Sequence, residues 1–247
     1  MTALRLQGLR KEFGGIVALE GIDLEVERGE IVAVVGDNGA GKSTLIKLIS
    51  GVHRPTSGML YVDGKPQRFH DPIAARAAGI EVVYQDLALV DHQPVYMNLF
   101  LGRELITRFR RLDRKRMSRE TQQLVDELDI RIPSAQVRIS TLSGGQRQGI
   151  AISRATHWAR SLVLLDEPTA ALGVAETAKV EETIAQLRGR GLAMVVVSHN
   201  LDQVFRLADR VVVLRRGVHV ATRRIAEIDR NEIVAMITGL STGGAFA

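Results

Sequence analysis

Ile31-Val32-Ala33-Val34-Val35-Gly36-Asp37-Asn38-Gly39-Ala40-Gly41-Lys42-Ser43-Thr44-Leu45 is the stretch on which the reading of this chain turns. Its first five residues are continuously apolar, as in a strand buried on both faces. A glycine-rich loop follows, then a helical pattern through Leu45, Leu48 and Ile49, with Gly51 placed to close the helix at C′. Glycines let successive backbone N–H groups turn inward and cradle phosphate oxygens without Cβ clashes. The N-terminus of the helix adds the positive end of its dipole. Gly36 to Gly41, with Lys42, Ser43 and Thr44, are therefore candidates for holding a chain of phosphates, Lys42 as the cation and Ser43 as a Mg²⁺ ligand.

Outward from this stretch, short apolar strands alternate with helical patterns, which predicts an α/β fold with a largely parallel sheet. Ile22, Leu24 and Val26 alternate with charges and read as a half-exposed strand. Ile80–Tyr84, Leu162–Leu165 and Ala193–Ser198 read as further strands, and Val211–Leu214 with Val218–Ala221 as a hairpin around Arg215-Arg216-Gly217. Residues 87–158 carry helical spacing and dense arginine, and predict a helical subdomain inserted between core segments 1–86 and 159–240. Ser241–Ala247 is small and Gly-rich and reads as a loose tail.

Of the 247 residues, 45% are hydrophobic, enough for a substantial core, and none is cysteine, which removes disulfides, thiolate metal sites and thiol catalysis. No apolar run reaches the roughly 18 residues that span a bilayer, and the first residues lack the apolar region of a secretory signal. Any membrane role is thus expected to be peripheral. The formal charge of +5 is local in origin: Arg103–Arg119 holds eight Lys/Arg and two acids. That run reads as a solvated helix face, or as a surface for anionic lipid head groups or a partner. Nucleic acid is the weaker third reading, because Phe109 is the one aromatic within it.

Two more motifs bear chemistry. Leu162-Val163-Leu164-Leu165-Asp166-Glu167 is an apolar strand ending in two carboxylates, which an α/β sheet delivers to the mouth of its crevice. Asp166 is a candidate to hold Mg²⁺ through water, and Glu167 to polarise an attacking water. Leu142-Ser143-Gly144-Gly145-Gln146 precedes an apparent helix through Ile150 and Ile152. Ser143, Gly144, Gly145 and Gln146 can offer a hydroxyl and bare N–H groups to a phosphate, or form a simple N-cap.

The phosphate loop, Gln85, Leu142–Gln146, Asp166-Glu167 and His199, in that order and spacing, resemble the ABC transporter ATPase family from Leu4 to about Gly239. The resemblance implies a P-loop NTPase core of RecA-like type, an N-terminal antiparallel β subdomain and the helical insertion. It implies ATP and Mg²⁺ as ligands, and hydrolysis of ATP. By the same resemblance Phe13 is the aromatic that stacks on adenine. Gln85 is a glutamine that serves both Mg²⁺ and catalysis, His199 is the switch histidine, and Ser143–Gln146 meet the γ-phosphate of a second copy of the chain. Composition alone would give Phe13 to the core. The other five histidines and Trp158 receive no role.

A finer similarity points to the carbohydrate-uptake branch: Asp37-Asn38, Ala78-Gly79-Ile80, Tyr84-Gln85-Asp86, Leu101-Gly102-Arg103-Glu104 and Ala170-Ala171-Leu172-Gly173. Gly173 stands where many relatives carry aspartate, which puts the usual cross-dimer aspartate contact in doubt. The chain also carries one cassette where that branch often fuses two. The implied setting is the cytoplasmic face of the inner membrane. The implied partners are a second copy, integral membrane permease subunits and, indirectly, a solute-binding protein, with no nucleic acid. An ABC-type ATPase acting on DNA or ribosomes is the alternative from another class. A GTPase or small-molecule kinase would leave Leu142–Gln146 unexplained.

Overall fold

The computed structural model describes residues 1–170 and 172–240. The tail at 241–247 and Ala171 lie outside the described residues. The chain opens with two long strands, β1 (Thr2–Phe13) and β2 (Ile16–Glu27), before the phosphate-loop strand β3 (Ile31–Val35) and its helix α1 (Lys42–Ile49). Then come β4 (Ser57–Val62), β5 (Lys65–Gln67), α2 (Pro72–Ala77) and β6 (Ile80–Val83). A helical stretch follows, with α3 (Val95–Leu99), α4 (Arg114–Glu127) and α5 (Gly144–Trp158). The remainder alternates: β7 (Leu162–Asp166), α6 (Val174–Arg188), β8 (Ala193–Val197), α7 (Leu201–Leu207), β9 (Arg210–Arg215), β10 (Val218–Arg224) and α8 (Arg230–Thr238).

The strands form one sheet in the order β5-β4-β1-β2-β10-β9-β3-β8-β7-β6. Its β5-β4-β1-β2 end is antiparallel, whereas β9, β3, β8 and β7 run parallel. The α/β expectation therefore holds, and so does the antiparallel N-terminal part. The sequence reading passed over β4, β5 and α2. β5 is a three-residue edge strand with proline at its centre, which cannot donate to a ladder and leaves no alternating pattern to read.

The contacts divide the chain into two compact units. The first holds Met1–Val82, Ala159–Glu167 and the chain from Arg188; the second holds Val83–Trp158 and Pro168–Leu187. In the first unit every residue of β3 is buried, and so is every residue of β8. Ala33, Val35, Val211 and Val213 pack with Leu201 and Val204 of α7 and Ile233 of α8. Each such aliphatic side chain removed from water stabilises the fold by about 1.5–3 kcal/mol before entropy is counted. These contacts fix the strand ends from which the site loops leave.

The second unit has its own core: Val95 of α3, Val125 of α4, Ile139, Leu142 and Ile150 of α5. Leu142, the first residue of the Leu142–Gln146 motif, is thereby anchored while the glycines beyond it stay at the surface. The buried Asn98 amide organises the loop after β6, accepting from Val90 N at 2.7 Å and donating to the Val90, Gln93 and Pro94 carbonyls. Trp158 is packing, as its lack of a motif implies. Its indole N–H donates to the Leu99 carbonyl at 3.0 Å, and its ring meets Phe100 and His157 edge to face. Among the described residues no helix is long and apolar enough to cross a membrane.

Candidate functional site

In the first unit, β3, β8 and β7 are neighbouring parallel strands, so their C-terminal ends share one edge of the sheet. From that edge leave the 36–41 loop, Ser198-His199 and Asp166-Glu167. This is where an open α/β sheet presents ligand groups.

The loop is held by close packing that only glycine allows. Gly36 has φ +154°, and a Cβ there would lie 2.2 Å from the Leu214 carbonyl oxygen. Gly41, the N-cap of α1, has φ +103°, and a Cβ would lie 2.5 Å from Leu19 Cδ2. The β9–β10 turn buttresses the loop: Gly217 N–H donates to the Ala40 carbonyl at 3.1 Å. Inside it the buried Lys42 ammonium donates to the carbonyls of Gly36 (2.7 Å) and Asp37 (3.0 Å). Ser43 is exposed and Thr44 half-buried at the start of the helix. A bend of backbone amides with a lysine ammonium inside it has the polarity to take phosphate oxygens.

Asp166 ends β7 half-buried, and its carboxyl is raised above the usual range. Burial is the largest cause and the neighbouring Glu167 charge the next, while Lys42 and Lys47 pull the other way. A carboxylate so placed is short of positive charge, which suits it to a hydrated divalent cation. Glu167 follows in the left-handed region at φ +53°, its N–H donating to the Val197 carbonyl at 2.9 Å. A non-glycine residue there is strained by about 1–3 kcal/mol. The turn delivers a carboxylate that is 16% exposed, and Glu167 Oε2 meets His199 Nδ1 at 2.6 Å. Two residues that the sequence reading named separately are therefore in contact. His199 is otherwise open, at 72% exposure, between β8 and the Asn200 N-cap of α7.

Phe13 is not core. Its ring is 42% exposed at the end of β1, edge to face with His53 at 5.2 Å and under the Lys11 ammonium at 4.7 Å. An exposed ring with a cation beside it can stack on a planar base. His53, given no role from sequence, is its neighbour.

The second unit holds Gln85 and residues 142–146. Gln85 lies exposed two positions beyond β6 and belongs to that unit. Ser143 and Gln146 form a reciprocal cap at the start of α5. Ser143 Oγ accepts from Gln146 N at 3.3 Å, and Gln146 Oε1 accepts from Ser143 N at 2.8 Å. The N-cap reading is thus what the local geometry displays. The Gly145 N–H is taken as well, because Glu176 Oε1 accepts from it at 3.3 Å. Glu176 Oε2 accepts from Gly173 N at 3.3 Å. Its carboxyl is held below the usual range by the Gly173 and Gly145 N–H groups and the Ser143 hydroxyl. A Cβ on Gly145 would lie 3.0 Å from Glu176 Cβ, so any side chain there would crowd Glu176.

Sequence reasoning missed Glu176. Its local signal was readable: Gly173-x-x-Glu176 puts a glutamate at N3 of α6, where it caps the helix start. Its meeting with Gly145, 31 residues away, was not. Ser143, Gly145, Gln146 and Glu176 line one side of a cleft of about 380 Å³ within this unit. Gly173 has room for a side chain, the nearest atom to its Cβ position being Glu176 Oε2 at 3.8 Å. Aspartate there would stand beside that carboxylate.

The ABC transporter family profile matches residues 19–170. The chain is 44% identical over 240 residues to the xylose/arabinose import ATP-binding protein of Sulfolobus acidocaldarius, covering 97% of this chain and 95% of that one. It is 43% identical to the fructose import ATP-binding protein of Rhizobium meliloti, covering 96% and 94%. It is 44% identical to a ribose import ATP-binding protein of Burkholderia mallei, where 96% of this chain matches 47% of the longer protein. In fold, a nucleotide-free ATP-binding cassette from an ABC transporter superposes with TM-score 0.84 at 23% identity, covering 96% and 98%. A cassette in its ADP conformation superposes at 0.82 and 24%, covering 96% and 95%. With the loop, the paired carboxylates and the capped glycine helix in place, this chain belongs to the ABC transporter family.

Proposed function

We propose that this chain is the ATP-hydrolysing subunit of an importer for a monosaccharide, working as one of two cassettes on the cytoplasmic face of the membrane. The observation that carries the chemistry is the 2.6 Å contact between Glu167 and His199 at the sheet edge that bears the phosphate loop. Two relatives matched over nearly their whole length, a xylose/arabinose and a fructose import ATP-binding protein, support the sugar assignment.

In this reading Gly36–Gly41 receive the phosphates on backbone N–H groups, and Lys42 leaves its loop carbonyls to pair with the terminal phosphates. Phe13 stacks on the adenine. Glu167 accepts a proton from the attacking water, while His199 holds the Glu167 carboxylate in place and can donate to a phosphate oxygen. Ser43, Asp166 and Gln85 would hold Mg²⁺, which when bound neutralises phosphate charge; the raised Asp166 carboxyl is the local feature that fits it. Ser143–Gln146 would meet the γ-phosphate bound by a second copy. ATP then joins two chains, and its loss lets them part.

Affinity purification of the chain from gently solubilised native membranes, followed by mass spectrometry, tests the transport role. A multi-spanning permease is the expected companion. Recovery of soluble or nucleic-acid-bound partners alone would leave the ATPase chemistry in place and remove the importer.

A further inference from the structure

The phosphate chemistry does not use the basic run at 103–119, and the structure gives that run a definite shape. Residues 105–113 form a short hairpin ahead of α4. Ile106 and Leu112 bridge antiparallel, Thr107 N–H donates to the Arg111 carbonyl at 2.8 Å, and Asp113 N–H donates to the Leu105 carbonyl at 2.8 Å. Arg110, at φ +59°, makes the turn. At the tip Phe109 is 74% exposed, with Ile106 at 64% and Leu112 at 41% behind it. Burial cannot account for three large apolar side chains raised into solvent within seven residues.

The surrounding charge is of one sign. Arg108, Arg110, Arg111, Arg114, Lys115 and Arg119 are all exposed, and among the described residues none of them has an ion-pair partner. The two acids of the run are already engaged. Glu104 accepts from Gly102 N at 3.0 Å, and Asp113 caps α4 through Arg116 N at 3.1 Å. Arg116 is neutralised by Glu120 at 2.7 Å. A merely solvated helix face would mix its charges and would not crown them with phenylalanine. A nucleic-acid surface would need successive aromatic platforms, and Phe109 has no aromatic neighbour in the run.

We propose that the 105–113 hairpin and the start of α4 bind the surface of an anionic lipid bilayer. Phe109 enters the head-group boundary, and the guanidinium groups around it pair with lipid phosphates. A convex tip with an apolar point and a cationic collar is complementary to that interface, which is apolar inside and negatively charged outside. The proposal stands apart from the sugar-import reading, because it concerns the isolated chain and lipid alone.

The test is flotation of the full chain with vesicles of phosphatidylcholine, with or without phosphatidylglycerol. The chain should float with the phosphatidylglycerol vesicles only, and high salt should release it. The triple variant Arg108→Ser, Arg110→Ser, Arg111→Ser should partition about 100-fold more weakly. Phe109→Ser should partition about tenfold more weakly. Phe109→Trp should add a blue-shifted emission with anionic vesicles that is absent with neutral ones. ATP affinity, measured alongside, should be unchanged in every variant, which separates a lost surface from a lost fold. Equal flotation with both vesicle types, no flotation, or full binding by the triple variant would overturn the proposal. If vesicles fail and the triple variant instead loses its permease in detergent, the surface belongs to a protein partner and the lipid proposal falls.

Discussion

Two glycine-rich helix starts in this chain are built from the same backbone chemistry and are satisfied in opposite ways. At α1 the bend of the phosphate loop is entered by a cation: Lys42 reaches back to the carbonyls of Gly36 and Asp37. At α5 the glycine N–H is met by an anion, the Glu176 carboxylate, which also takes Gly173 N. An arriving phosphate would draw Lys42 from those carbonyls towards itself, gaining a cation already in place. At the second start it would have to displace a carboxylate of its own sign. In the function proposed above, one loop would be a receptor with its charge in place, and the other a receptor behind a competitor.

The largest effect bears on the receptor side. Glu167→Gln should leave ATP affinity near that of the parent and slow hydrolysis by roughly 10²–10⁴-fold. Turnover close to the parent's would mean that the Glu167–His199 contact is incidental. Lys42→Ala tests the claim that the first loop depends on its cation. Titration calorimetry should show nucleotide binding weakened by about 10–100-fold, the scale of one charge-assisted hydrogen bond. Undiminished binding would break the comparison at its first term.

The competitor side predicts a gain rather than a loss. Glu176→Gln keeps an acceptor for Gly145 N–H but removes the charge. It should lower the ATP concentration at which chains self-associate, by about two- to fivefold, the range of a single charge at a helix end. Measured in a Glu167→Gln background, where ATP persists, a rise instead of a fall would make Glu176 a brace for the helix and not a rival of phosphate.

The smallest effect is on stability. The folded Asp166 carboxyl is raised by burial, so its ionised form costs the fold at neutral pH. Asp166→Asn should therefore raise Tm by about 1–3 °C near pH 7. The gain should fade as pH falls below the ordinary carboxylate range, where both folded and unfolded chains carry the proton. A gain that persists in acid would assign the effect to packing.

What could be read in advance divides along the same line. The phosphate loop, β7 and its carboxylates are local patterns, since strand, turn and helix lie within a score of residues. The Glu167–His199 contact was not read in advance: motif order named each residue separately, and only the pairing of β7 with β8 as parallel neighbours brings their C-terminal ends together. The Glu176 carboxylate escaped, because its partner on α5 is distant in sequence and nothing in either segment names the other. Phe13 was ambiguous for a different reason. An aromatic at a strand end has the same composition whether the strand stops inside the core or runs past it, and β1 runs past.

The backbone at Glu167 has a consequence for how such a chain would age. Its left-handed turn suits glycine or asparagine better than glutamate. A substitution that abolishes hydrolysis there would thus relax the protein and leave it sturdier. Mutation at most active positions is held back by a loss of folding as well as of activity. In the function proposed above, the two pressures would oppose each other at this position, and selection for turnover would hold the carboxylate in place.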